Sequence, residues 1–391
     1  MPRSSTTTRH HSLVLVAGAA GATVITKLPV FLLGGLAILI RDDLPLTESR
    51  VGLSAAGFFA VTALTSVPGG RLAERVGPRR QLYVAGTIAA MSMLGIALAA
   101  DWWHLAIALA VGGIANGMSE TATNLAITVG IRGGRHGFAF GIKQSAAPMT
   151  TLLAGLAVPV LGLTVGWRWA YAAAAAFAMG VTSLLPFDDR TSSGQHSGRF
   201  ARGSPAPALV IVALGFGFGT AAATALATFL VESAVATGIS LSSAGLLLAA
   251  SSVLGVASRL YTGWLADRRG AGHLRVVVLM LLVGTAGLIG LTLGNPLTTV
   301  VGALTAFAFG WGWTGLLNFA IARINPNRPA TSTGVLLLGA ATGAAAGPLV
   351  FGIIVELMGF AYGWSTAAGG MLLGALLIEA GRRMILAGLD H

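Results

Sequence analysis

Twelve apolar stretches, each long enough to cross a bilayer, follow one another with only short polar breaks, and no feature limits the possible folds more. Their approximate limits are 12–40, 50–70, 81–100, 104–130, 138–164, 167–187, 207–231, 241–262, 275–293, 297–322, 331–357 and 361–385. About 20 apolar residues span the hydrocarbon layer as a helix. Backbone groups find no water there, so helices that bond internally are the structure such stretches adopt. The expected fold is therefore all-α and integral to the membrane. Charged residues are only 9% of the chain, against about 25% in soluble domains. The run from Ser12 continues to Ile40, too long for a cleaved signal, and reads as a retained first span.

The positive charge of the loops sets an orientation. With both termini cytoplasmic, the inside loops and tails hold eighteen arginines, against Arg41, Arg50 and Arg168 outside. That asymmetry predicts a multi-pass protein of the cell's inner (plasma) membrane. It also accounts for the net charge of +11 without a nucleic-acid partner, because the arginines form no continuous basic face. Cysteine is absent, which removes disulfides, thiolate nucleophiles and cysteine-ligated metals.

One polar segment, rich in Ser, Gly and Arg, divides the spans six and six. The expected organisation is an N-terminal bundle over 1–187, a cytoplasmic linker over 188–206 and a C-terminal bundle over 207–391. The halves share a repeat: residues 51–77 align without gaps on 244–270, matching Gly52 with Gly245, Gly70 with Gly263, Arg75 with Arg268 and Gly77 with Gly270, while Glu74 faces Asp267. Internal duplication of this kind predicts two pseudo-symmetric six-helix bundles.

The repeated element reads Gly70, Arg71, Leu72, Ala73, Glu74, Arg75, Val76, Gly77 in the first half and Gly263, Trp264, Leu265, Ala266, Asp267, Arg268, Arg269, Gly270 in the second. It resembles the Gly-x-Leu-Ala-Asp-Arg-x-Gly signature of the major facilitator superfamily of secondary transporters, and with twelve spans and a central loop the resemblance covers the whole chain. It implies that Gly70, Glu74, Arg75, Gly77, Gly263, Asp267, Arg268 and Gly270 form cytoplasmic gating contacts favouring one state of the transport cycle. Glu74 departs from the usual aspartate. Two further departures count against the drug/proton antiporter branch. The fourth span has Gly113 where such exporters carry an arginine, and the fifth has Ala147 and Pro148 where they carry a Gly-Pro pair. In the eleventh span Gly339, Gly343, Gly347 and Pro348 form a small-residue face expected to serve helix packing and hinging.

Of the 24 basic residues only Lys27 and Lys143 are lysines, and both fall inside spans. Lys27 lies roughly 21 Å from either end of its stretch at 1.5 Å per residue, with Thr23 one turn before it and Pro29 two residues after. Glu120 belongs to a polar stripe of Gly113, Asn116, Gly117, Glu120, Thr123 and Asn124 at helical spacing. It sits roughly 18 Å from the cytoplasmic end of its span, against roughly 12 Å for Lys143, so the two are within reach of an ion pair across adjacent helices. Gln144 extends the polar character of the fifth span, and Arg259 is a third deep cation, serving either anion binding or the cytoplasmic gate. Charges at such depth mark pathways or structural pairs. Glu232 and Glu356, near predicted outer ends, and Glu379, near the inner end, read as interfacial. The tenth span carries Phe307, Phe309, Trp311, Trp313 and Asn318.

Three deep cations against one acid leave a positive core, which suggests an anionic cargo. The leading expectation is a secondary transporter of a small organic or inorganic anion by alternating access. Lys27, Lys143, Gln144, Asn116, Asn124, Thr23 and Arg259 would bind the substrate, and Glu120 would carry a coupling proton. The alternative is an exporter of hydrophobic drug-like or metabolite compounds, favoured if Lys27 and Glu120 neutralise each other and the cavity is mainly apolar and aromatic. Partners expected are a small-molecule substrate and the lipid bilayer, with the chain working as a monomer. No phosphate-cradling loop, His-based metal spacing or catalytic constellation is evident, so neither cofactor nor enzyme activity is expected.

Overall fold

The computed structural model describes residues 5–130, 141–185, 207–268, 272–324 and 329–387. The expected linker over 188–206 lies outside them. The described elements are helical throughout: α1 (Ser5–Asp43), α2 (Glu48–Val76), α3 (Pro78–Ala97), α4 (Trp102–Gly130), α5 (Ala146–Ala157, continued by a π-helical turn Val158–Gly162), α6 (Trp167–Ser183), α7 (Pro207–Ala236), α8 (Leu241–Arg268), α9 (His273–Thr292), α10 (Pro296–Thr305, a π-helical turn Ala306–Gly310, then Thr314–Ile324), α11 (Pro329–Met358) and α12 (Phe360–Ala387). Ten spans among the described residues are long and apolar enough to cross a membrane. The other two helices fall short for local reasons. α6 has only 17 residues, and α3 opens on Arg79, Arg80 and Gln81, next to the first repeated motif.

Packing follows the duplication. Within the first half α2 lies on α4 and α3 on α6; within the second α7 lies on α11 and α12. Between halves, α1 meets α7, α2 meets α11 and α5 meets α8. Because α8 is the second helix of its half and α11 the fifth, the last two contacts are equivalent under a pseudo-two-fold axis. That is the symmetry implied by the repeat of 51–77 in 244–270.

Small residues make these contacts possible. Inside a bilayer the lipid tails are as apolar as leucine, so helices associate through close backbone approach rather than a hydrophobic drive. On α11 a Cβ at Gly339, Gly343 or Gly347 would run into the backbone of Ala213, Gly217 or Ala221 on α7. The glycine series is thus a packing face, as its four-residue spacing predicts. Gly52 on α2 plays the same part against Pro348, and Gly155 on α5 against Gly245 and Ala249. Gly343→Ala forces α7 and α11 apart and is expected to cost about 1–3 kcal/mol. A lowered midpoint of thermal unfolding in detergent checks this; a wild-type midpoint contradicts it.

Prolines free carbonyls at defined places. Proline has no N–H, so the carbonyl four residues earlier loses its helical partner. Pro148 frees that of Gln144, and Pro348 that of Ala344, which takes the Thr224 hydroxyl of α7 at 3.5 Å. The π-helical turn in α10 ends in a break at Trp311–Trp313, which likewise leaves backbone groups to find other partners.

Candidate functional site

Lys27, Glu120 and Lys143 come together on three helices of the first half. α1 brings Lys27 to 3.0 Å from Glu120 Oε1. The chain just before α5 brings Lys143, whose Nζ bonds Glu120 Oε2 and also donates to Asn124 Oδ1 at 3.0 Å. Glu120 and Asn124 are one turn apart on α4, so both reach the same ammonium. The expected Glu120–Lys143 pair is present, but the carboxylate is shared, one oxygen to each lysine.

Exposure separates the two lysines. The Lys143 side chain is 2% exposed, whereas Lys27 and Glu120 are 18% and 26% exposed. Lys143 is buried between its two acceptors, Glu120 and Asn124. Lys27 and the facing side of Glu120 are the accessible part of the cluster. The cluster sets two lysines against one glutamate.

Aromatic rings lie one turn along α1 from Lys27. Phe31 meets Trp311 of α10 edge-on at 5.7 Å between ring centres and Phe59 of α2 at 6.3 Å, and Phe307 packs on Trp311 at 5.3 Å. The cluster joins both halves. Of the other tenth-span aromatics, Trp313 is buried against Phe216 and donates to Gly310 O, while Phe309 points outward. The Asn318 amide is turned onto Thr314 O.

Arg259 uses the carbonyls that proline and the π turn release. Its Nη1 donates to Gln144 O, and its Nε and Nη2 donate to Trp311 O at 3.3 and 2.9 Å. The guanidinium also lies 5.3 Å from the Trp311 ring centre, in cation–π range. With 4% of the residue exposed, Arg259 ties α8 to the residue beside Lys143 and to α10, so its charge enters the core through backbone partners from both halves. Lysine cannot reproduce the planar fork. Arg259→Lys is expected to lose at least one of these bonds and about 1–3 kcal/mol of stability, measured as a fall in the thermal midpoint; an unchanged midpoint argues against the tie.

The remaining sequence-predicted residues are dispersed. The stripe on α4 splits: Gly113 and Gly117 press on Phe58, Thr62 and Thr65 of α2, and Asn116 donates to Thr62 Oγ1 at 3.2 Å while buried. Thr23 is buried and donates back to Ala19 O at 2.9 Å. The Gln144 side chain is half-buried beside Gly315 of α10. Pro29 leaves α1 continuous, and its carbonyl accepts from Tyr171 Oη of α6 at 3.1 Å.

In the first motif Gly77 closes α2 at φ 87°, a conformation that favours glycine, with its N–H on Ala73 O. Gly70, Glu74 and Arg75 lie at that helix end, where Glu74 and Arg75 are exposed. Gln81 of α3, which the sequence reading passed over, is buried beneath it. Its amide donates to Gly69 O and Met118 O, both at 2.9 Å. In the second motif Gly263 lies near Gly141, and the Arg268 guanidinium sits 4.1 Å from the Trp264 ring centre. The Asp267 side chain and Gly270 fall outside the described residues.

The profile of the Major Facilitator Superfamily matches residues 19–348. The chain belongs to that superfamily. Its members are transporters, and the twelve-helix pseudo-symmetric fold is theirs. Among solved structures, a bacterial homologue of the human lysosomal transporter Spinster, in an inward-facing and occupied conformation, superposes with a TM-score of 0.74 at 16% identity, covering 95% of this chain and 97% of that one. The proton:xylose symporter XylE, bound to 6-bromo-6-deoxy-D-glucose, superposes with a TM-score of 0.74 at 15% identity, covering 94% and 95%. At such identities the likeness concerns the fold alone. A probable sulfoacetate transporter, SauU of Cupriavidus necator, is 30% identical over 159 residues, which is 41% of this chain and 37% of that relative's length.

Proposed function

We propose that this superfamily member carries a small organic or inorganic anion across the inner membrane by alternating access, with Lys27 as its principal charge contact. The observation that carries the reading is the shared carboxylate. Glu120 is secured by buried Lys143, which Asn124 holds in turn, so Lys27 is free to exchange Glu120 for an anion without stranding either charge in a low-dielectric core. Arg259 adds positive field from the second half and donates to the backbone carbonyl of Gln144, next to Lys143. Asn116 serves by tying α4 to α2 beside the site through Thr62. The probable sulfoacetate transporter that the chain resembles over 159 residues supports the charge class, since sulfoacetate is a small organic anion.

Once Lys27 is engaged by substrate, Glu120 keeps a single cation and becomes the acid that takes a coupling proton. The two motifs face the cytoplasm with both termini, in accord with the arginine bias, and gate that side. The bundles, 1–187 and 207–391, move about the linker in a monomer that needs no cofactor and performs no catalysis.

Counterflow in proteoliposomes tests the reading. Saturable flux of one class among labelled sulfonates, carboxylates and inorganic anions is expected, with loss of proton-driven accumulation but retained exchange in Glu120→Gln. Unchanged pH dependence in that variant removes the coupling role. Flux restricted to lipophilic compounds removes the anion and favours an exporter built around the aromatic cluster of Phe31 and Trp311.

A further inference from the structure

At the end of the molecule opposite the motifs, a second charge cluster crosses between the halves. Arg41, at the end of α1, donates from Nη1 to Glu48 of α2 and from Nη2 to Glu232 of α7, both at 2.8 Å. Glu232 lies near the outer end of its helix, where the sequence reading put it, but is buried, with its side chain 4% exposed, and its Oε2 has no hydrogen-bond partner. Arg41 and Glu48, at 35% and 22% exposed, connect the cluster to water. One guanidinium thus serves two acids, and only one of those bonds joins the halves.

We propose that Glu232 is a proton-binding site of the transport cycle, whose occupation unlocks this end of the transporter. A proton from water adds to Oε2 and converts the carboxylate into a neutral acid. Its charge-assisted bond to Arg41 is weakened. Arg41 remains neutralised by Glu48 in its own half, so α7 is released without leaving an unpaired cation. Protonating Glu48 instead would leave the cross-half bond in place, which is why Glu232 is assigned.

The other charged groups at this end are committed differently. On α1, Asp42 is exposed, and Asp43 accepts from Trp167 Nε1 at 2.9 Å and from Arg168. Arg50 of α2 donates to Pro45 O and lies over the Trp102 ring at 5.3 Å. Glu356 of α11 accepts from Ser49 N at 3.0 Å, a second cross-half bond but an exposed one. From α12, Trp364 Nε1 bonds Ser233 beside Glu232 at 2.7 Å, bringing no charge. Among the described residues α8, α9 and α10 carry no acid or base at this end.

The chain has no cysteine, so spin labels can be placed cleanly. Leu98→Cys and Leu293→Cys mark exposed positions after α3 and α9, one in each half at this end. Electron-electron distance measurements in lipid nanodiscs are expected to shift from a shorter to a longer distance as pH falls. In Glu232→Gln the longer distance should hold at every pH, whereas Glu48→Gln should keep the pH response, moved to lower pH because Arg41 then has Glu232 alone. A response that survives Glu232→Gln, or its absence in the labelled protein with native Glu232, overturns the proposal. Arg41→Gln gives an independent arm should Glu232→Gln fail to fold: it should show the longer distance at neutral pH, and a persistently short one overturns the latch. The readout needs no substrate, so it stands apart from the anion reading.

Discussion

Lys27→Gln is expected to weaken anion binding by about 10- to 100-fold, as fits the roughly 1.5–3 kcal/mol of a hydrogen bond to a charged group. The fold should survive. Glu120 keeps its bond to Lys143 in the variant, and the lost pair is only part-buried, at 18% and 26% exposed, so its loss costs less than breaking the buried Lys143 bond. Affinity and stability therefore separate at this position. Equilibrium binding and thermal unfolding, measured on the same preparation, check both halves of the expectation. Weakened binding with the stability lost as well would make Lys27 a structural residue.

Glu120→Gln should do the reverse and act first on stability. It removes the one carboxylate between two ammoniums and leaves Lys143, 2% exposed, as a buried cation with only amide oxygens. Breaking a buried pair from one side costs about 3–5 kcal/mol. Replacing both charges can be nearly neutral, because no uncompensated ion remains. Glu120→Gln combined with Lys143→Met is thus expected to recover most of what Glu120→Gln alone loses. Chemical or thermal unfolding of the two variants beside wild type reads the difference. Equal losses in the single and double variants would mean that Lys143 contributes packing rather than charge compensation.

Residues that interact through local spacing were legible before any coordinates. The helices, the repeat, the glycine face of α11 and the Glu120–Lys143 pair all follow from periodicity or from depth along a helix. Partners from remote segments were not. Arg41 and Glu232 are 191 residues apart, and nothing local says that the ends of α1 and α7 meet. The stripe on α4 shows a related limit. Helical spacing places Asn116 and Glu120 on one face, but it does not say that α2 covers the first while α1 and Lys143 receive the second. For Arg259 half of the signal was present. Pro148 frees the Gln144 carbonyl as a matter of covalent structure, yet the side chain that comes to it arrives from the other half of the chain.

The most direct test of the central claim is a thermal-shift screen of purified wild type and Lys27→Gln against sulfonates, carboxylates, inorganic anions and lipophilic amines. A ligand at about 100 times its Kd stabilises the folded state by about 2.7 kcal/mol, well above the scatter of such measurements. The account predicts stabilisation of wild type by one anion class and its loss in Lys27→Gln. Stabilisation by lipophilic amines alone, equal in both proteins, would contradict it.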